Sequence, residues 1–393
     1  MPNHIALVTN TTGVSTLAQR NLMDRFHALL TGVGFPTSFT RPLVGNGTIL
    51  YFEGTSTTVT ETWTITCTSA AANSGTFSVV GSVTGATASA TVGTAYDNGK
   101  VKFLIQDGTT DFIVGDFWTV AMSAPHSTAS ATLWETQRWY SGGDPANNNQ
   151  RQMILKGKGL SGTEEIYVGA YEYYSVGSDY YNMVVAVSTG YVPGNSFNTQ
   201  PGVAENAICA HNTAIDYWLS WNAQKIAICL KVGGATYESA YLGKFYPYTP
   251  PSQYPYPVVC SGMLNGAAAV RYSSTATTHG MGYKGNTDRF DVRSPGGVWE
   301  QPYTFPWIED SLSLNNTESN STSQIRDTNG YYPLTPVMIL SDNGIYGELD
   351  GIYHVSGFSN AVENTMTVGG SSYVLFGDRT LTGFVDYYAM RLD

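Results

Sequence analysis

Carboxylates are the most plentiful ionisable groups in this chain, with 30 Asp and Glu against 19 Lys and Arg. Two of them held about 5 to 10 Å apart could cleave a glycosidic bond, one as acid and the other as base or nucleophile. Glu164, Glu165, Asp216, Glu300, Glu309, Asp310, Glu348 and Asp350 are the candidates, and any two can be brought together from anywhere in the chain. With so many acids, such candidates also arise by chance. A serine nucleophile would need an activating base, and no Gly-x-Ser-x-Gly elbow occurs. His4, His27, His126, His211, His279 and His354 stand apart from one another, without the His-x-His or His-Glu-x-x-His spacing of a metal site. Cys67, Cys209, Cys229 and Cys260 form no Cys-x-x-Cys pair, so zinc is not expected. Cys67 and Cys229 lie in strand-like runs, where a free thiol behaves as a small core residue. Asp327-Thr328-Asn329-Gly330 opens like a calcium loop but lacks its closing Glu, and it reads as a turn, as does Asp342-Asn343-Gly344. The expectation is a chain without enzymatic activity, metal or cofactor.

The elements that would position these groups are mostly strands. Only 12% of residues are charged, and 27 Tyr, 8 Trp, 15 Phe and 42 Gly give a β-rich vocabulary. The net charge of −11 argues against an extended phosphate-binding surface, so no nucleic-acid partner is expected. Nothing approaches a membrane span and the start carries no leader pattern, so a soluble protein made in a cytoplasm is expected.

Residues 1–44 read as an arm with one amphipathic helix. From Ser15 or Thr16, Leu22, Phe26, Leu29, Leu30 and Val33 recur at helical spacing until Gly32 and Gly34 stop it. Such a stripe must pack on the body of the protein or on a neighbouring subunit, which makes Phe26 and Leu30 candidate contact residues. Residues 45–126 read as a small all-β module with strands over Thr62–Cys67, Phe77–Val83, Val101–Ile105 and Phe112–Val120. Asp97-Asn98-Gly99 and Asp107-Gly108 are hairpin-type turn signals between them. Residues 127–393 read as a larger antiparallel β-sandwich or jelly-roll-like domain. Its strands include Gln152–Lys156, Glu165–Tyr174, Tyr180–Ser188, Lys225–Val232, Tyr237–Tyr246, Ala268–Tyr272, Val337–Leu340 and Ser372–Phe376, with an Asn-rich loop from Ser141 to Asn149 and a long exposed Ser/Thr/Asn-rich loop from Leu312 through Pro336.

The segment from Tyr241 to Pro257 alternates tyrosines with Pro247, Pro250, Pro251, Pro255 and Pro257. Proline fixes φ and lacks a donor, so a central strand cannot continue past Pro247, and the chain must run on as an extended strap. Tyr246, Tyr248, Tyr254 and Tyr256 are therefore candidate contact residues, packed either on their own domain or on a neighbour.

Two stretches carry a resemblance to virion structural proteins of tailed bacteriophages. The first is the module, in Glu61–Cys67, Phe77–Val83, Ala90–Gly99 and Asp111–Asp116, which looks like a small β domain recurring in phage tail proteins. The second is Gly177–Asn182 with Tyr217-Trp218 and the strap from Tyr241 to Pro257. The resemblance implies a structural component of the particle in the neck, collar, tail or baseplate, contacting copies of itself and other virion proteins, with no catalytic residues to carry over. A carbohydrate-binding receptor module is one alternative, with Tyr and Trp stacking on the sugars of a host glycan. A glycan depolymerase with paired carboxylates is another.

Overall fold

The computed structural model describes residues 8–10, 18–41, 44–125, 134–141, 151–157, 159, 165–213, 215–274, 280–281, 289–306, 328, 332–341, 344–357, 360–377 and 387–393. Residues 142–149, nearly all of Leu312 to Asn329, and Glu164, Glu309, Asp310, Asp342, Asn343, His4, His126 and His279 lie outside the described residues, while Ser141, Thr335 and Pro336, expected in loops, belong to the strands Glu135–Ser141 and Thr335–Ser341.

Alternation builds the module. In the strand Glu61–Ala71, Trp63, Ile65 and Cys67 are buried while Thr62 and Thr68 face water, the pattern of a strand with one wet face. It lies in a sheet ordered Phe35–Thr40, Phe117–Ser123, Glu61–Ala71, Ser74–Gly81, Gly85–Ala86. A second sheet, Thr48–Gly54, Val101–Gln106, Ala95–Asp97, faces the same core of Trp63, Phe77, Phe103 and Trp118. Asp97-Asn98-Gly99 makes the expected turn between paired strands, with Gly99 at φ +79° and the Asn98 side chain accepting the amides of Lys100 and Val101, both at 2.9 Å. Asp107-Gly108 is not a hairpin, because the chain crosses there to the other sheet. The strand expected from Phe112 begins only at Phe117: the Asp116 carboxylate gathers the amides of Val44, Gly45 and Ile113, which turns the intervening residues and leaves Ile113 and Val114 exposed. Phe35–Thr40 pairs with Phe117–Ser123, so the tail of the segment read as an arm belongs to the module's sheet.

The body contains the expected antiparallel sandwich with a third sheet added. The first sheet is a meander, Glu135–Ser141, Arg151–Gly157, Ile166–Ser175, Tyr180–Ser188, Ala204–Ala210. The central sheet runs Val8–Asn10, Ile215–Trp221, Lys225–Val232, Thr236–Lys244, Val258–Ser261, Phe290–Arg293, Trp299–Glu300. The outer sheet runs Tyr303–Phe305, Thr335–Ser341, Gly344–His354, Tyr387–Arg391, Ser371–Gly377, Thr365–Val368. Ile226, Ile228, Leu230 and Val232 face the meander, while Ala227 and Cys229 on the same strand face the outer sheet. A strand covered on both faces carries apolar residues on both, which is why Ile226 to Leu230 run without polar alternation. Trp218 and Phe376, with ring centroids 4.8 Å apart, join the central and outer layers. All four cysteines are buried and none is in a disulfide. Ala268–Tyr272, expected as a strand, is instead a cover over the back of the meander, where Asn182 donates to the carbonyls of Ala268 at 2.6 Å and Val270 at 3.0 Å.

The helix Ala18–Thr31 is wedged between the meander and the central sheet. It ends as expected at Gly32, whose φ of +70° lets its amide and that of Val33 both reach the Ala28 carbonyl. Leu22, Met23, Phe26, Leu29 and Leu30 fill the first core, and Phe26 meets Tyr217 edge-on at 5.2 Å. Phe26 and Leu30 are each 1% exposed, so as contact candidates they are corrected: this chain's own two sheets use up their surface. The opposite side of the helix is tied by charge. Arg20 reaches Glu172 at 3.0 Å and Asp24 clamps Arg151 at 2.6 and 2.9 Å, four residues apart on the helix and thus on one face.

Candidate functional site

Where the helix, the module and the first strand of the body meet, a cavity of about 250 Å³ opens. The helix contributes Asp24, His27 and Ala28; the residues after it contribute Val33, Phe35 and Pro36; the module contributes Phe52, Glu53, Thr55, Ser56 and Lys102; and the body contributes Trp139. The backbones come close there, since a side chain on Gly54 would strike the Gly34 carbonyl. Trp139 stacks on His27 with centroids 4.2 Å apart and planes 12° from parallel. Its indole N–H donates to Glu53 Oε1 at 2.6 Å, a bond that ties body to module across 86 residues of sequence. Burial holds the His27 imidazole down to about 4, so it is neutral at pH 7, with Nε2 3.0 Å from Thr136 Oγ1. Clefts between units, apolar in lining with a few convergent polar groups, are where small ligands bind. Spacing along the sequence carries no sign of this one, because its walls come from four separate segments.

The strap residues are divided. After Lys244 the chain leaves the central sheet, touches the outer sheet at Tyr246 and Pro247 opposite Glu348 and Gly347, and returns as Val258–Ser261 beside the strand it left. Tyr246 and Tyr248 are 41% and 55% exposed, and the Tyr248 hydroxyl donates to Glu348 Oε2 at 2.9 Å. Tyr254 is 1% exposed, edge-on to Phe245 at 5.8 Å and to Tyr346 at 5.6 Å, with its hydroxyl donating to the Arg293 carbonyl. Tyr256 is half-buried beneath the Arg293 guanidinium, 5.3 Å from its ring centre. Tyr254 is thus a staple within the chain, and only Tyr246 and Tyr248 offer surface outward. Tyr254→Phe should lower stability by about 1 to 2 kcal/mol through the lost hydroxyl bond, read as a lower midpoint in urea unfolding; an unchanged midpoint would mean the bond carries nothing.

Three of the carboxylates weighed for glycoside cleavage are committed elsewhere. Asp350 is 3% exposed and accepts from Asn222 Nδ2 at 2.5 Å, Glu348 holds Tyr248, and Glu165 pairs with Lys156 at 2.6 Å. Sequence inspection does not single out Lys225 and Ser220, whose Nζ and Oγ lie 3.0 Å apart. Burial pushes the lysine ammonium down to about 8, against the pull of Asp350. A serine beside such a lysine has the composition of an acyl-transfer dyad. Both side chains are sealed at 0% exposure between two sheets, however, so no substrate carbonyl reaches them. Among the described residues no group of three or more His, Cys, Asp or Glu gathers to hold a metal, and no helix is long and apolar enough to cross a membrane.

No family model matches the chain, and no curated protein matches it.

Proposed function

We propose that this chain is a non-enzymatic structural component of a tailed-phage particle, in the neck, collar, tail or baseplate. It is made in the host cytoplasm, carried in the virion, and acts through contacts with copies of itself and with other virion proteins. The observation that carries the contact role is the exposed end of the outer sheet, beyond the part of its outward face where Tyr373, Leu375, Tyr387 and Ala389 are buried. Val337 and Ile339 point into the core at 0% exposure, so their neighbours point away from it. Tyr303, Leu340 and Ile345 stand opposite one another across three strands, a row on one face whose ends, Tyr303 and Ile345, are 40% and 48% exposed. Tyr246 and Tyr248 extend the exposed aromatic surface at the same end of the sheet. Exposed apolar groups gathered in this way mark contact surfaces, and aromatics are enriched at their buried centres. The particle assignment rests on the resemblance of the module and the strap. The carboxylate-pair reading is the weaker one, because Asp350, Glu348 and Glu165 each already serve a partner.

The purified chain should increase in mass with concentration in light scattering, and Ile345→Lys with Tyr303→Lys should return it to a monomer without changing its circular dichroism. In the particle, each copy should bury more than about 1,000 Å² against another copy or a neighbouring protein. A monomer at every concentration, together with particles whose copies touch nothing, would reject the reading.

A further inference from the structure

We infer that Asn265 is a site of spontaneous deamidation, and that its conversion loosens the cover over the back of the meander. The inference goes beyond the contact role and holds whether or not the chain builds a particle.

The reaction needs no enzyme. The Gly266 backbone nitrogen attacks Asn265 Cγ and gives up its proton to water, the Cγ–Nδ2 bond breaks, and ammonia departs from a five-membered succinimide. Water then opens the ring. Cleavage at Cγ gives aspartate, and cleavage at the main-chain carbonyl gives isoaspartate, whose chain runs through Cβ and Cγ and is longer by one carbon. A following glycine favours the attack, because it has no side chain to crowd the nitrogen and its backbone turns freely.

Asn-Gly occurs at Asn46, Asn98, Asn265, Asn329 and Asn343, of which the last two lie outside the described residues. The fold treats the other three differently. Asn46 donates from Nδ2 to Thr109 Oγ1 and accepts the Thr110 amide on Oδ1, both at 2.8 Å. Asn98 accepts the amides of Lys100 and Val101, and the nitrogen that would attack it, on Gly99, already donates to Asp97 Oδ1 at 2.8 Å. Asn265 is exposed, and among the described residues neither its side-chain amide nor the Gly266 nitrogen has a hydrogen bond. Nothing has to break before its Cγ turns onto that nitrogen.

The place of Asn265 in the fold gives the change its effect. Leu264 is tied to Ala207 in both directions, with the Ala207 amide donating at 2.8 Å and the Leu264 amide at 3.0 Å. The Ala268 carbonyl is held by Asn182 at 2.6 Å. Asn265 lies in the short span between these anchors, beside the buried Val184, Ala207 and Cys209 that the cover packs on. An added backbone carbon in that span shifts one anchor or the other.

The test is peptide mapping by mass spectrometry on the full chain, kept folded at mildly alkaline pH and sampled over time. The peptide carrying Asn265 should gain one mass unit and split into aspartyl and isoaspartyl forms, about tenfold faster than the peptides carrying Asn46 or Asn98, the scale of two hydrogen bonds that need not be broken. In urea the three should convert at similar rates, because the difference comes from the fold. The deamidated chain, separated by ion exchange, should melt below Asn265→Asp, which carries the new charge without the added carbon. Conversion of Asn265 no faster than Asn46 or Asn98 in the folded chain, the same preference in urea, or a deamidated chain that melts with Asn265→Asp would each overturn the inference.

Discussion

Between pH 6.5 and 4 the fold is expected to lose about 3 to 6 kcal/mol of stability through two histidines. Burial alone holds His354 near 4, against an ordinary value of 6.5. It is 7% exposed and sits opposite Tyr388, whose ring lies in the core between the central and outer sheets. His27 is also held near 4, but it lines the cavity and keeps some contact with water, so its share is the smaller. In this window the unfolded chain binds protons that the folded chain does not. Stability therefore falls as the pH falls below 6.5, the full loss is reached below 4, and these groups contribute no pH dependence above about 7. Urea unfolding at a series of pH values measures the slope. His354→Gln should remove the larger part of it and His27→Gln the remainder. A wild-type stability that is flat from 6.5 to 4, or a slope unchanged in the double variant, would contradict the assignment.

Glu172→Ala should cost about 3 to 5 kcal/mol, the scale seen when one partner of a buried charge cluster is removed. Glu172 is fully buried at the seat of the helix, and its carboxylate accepts Arg20 Nε at 3.0 and 3.1 Å and the Arg151 backbone amide at 3.2 Å. Burial raises its proton affinity and the two arginines pull it back down, so the ionised form depends on them. Without it, the Arg20 guanidinium loses its carboxylate next to Arg151, whose own guanidinium is 7% exposed and relies on Asp24. If the loss comes from a stranded charge rather than from the missing volume, Arg20→Met in the Glu172→Ala background should recover part of it. A double variant as unstable as the sum of the two single variants would show that the ion pair has no coupled contribution.

The amino-acid sequence by itself determined the features that depend on near neighbours. Alternation in Thr62–Cys67 and Val101–Ile105 marks half-buried strands, and the three- and four-residue spacing from Leu22 to Leu30 marks a helix that Gly32 must end. Asn98-Gly99 forces a turn, and low charge with many aromatics makes the chain mainly β. These follow from sterics and periodicity within a few residues. Tertiary structure decided what covers each face. Lys225–Val232 reads as a strand in either a two-sheet or a three-sheet body, and only the outer sheet settling on Ala227 and Cys229 makes it central. Phe26 and Leu30 read the same against a partner as against the chain's own sheets, because a stripe's periodicity says that it is buried and not by what. Glu53 and Trp139, like Ser220 and Lys225, have no local signature at all. A side-chain contact needs only proximity, and the packing of whole sheets creates that proximity between residues whose positions in the chain are unrelated.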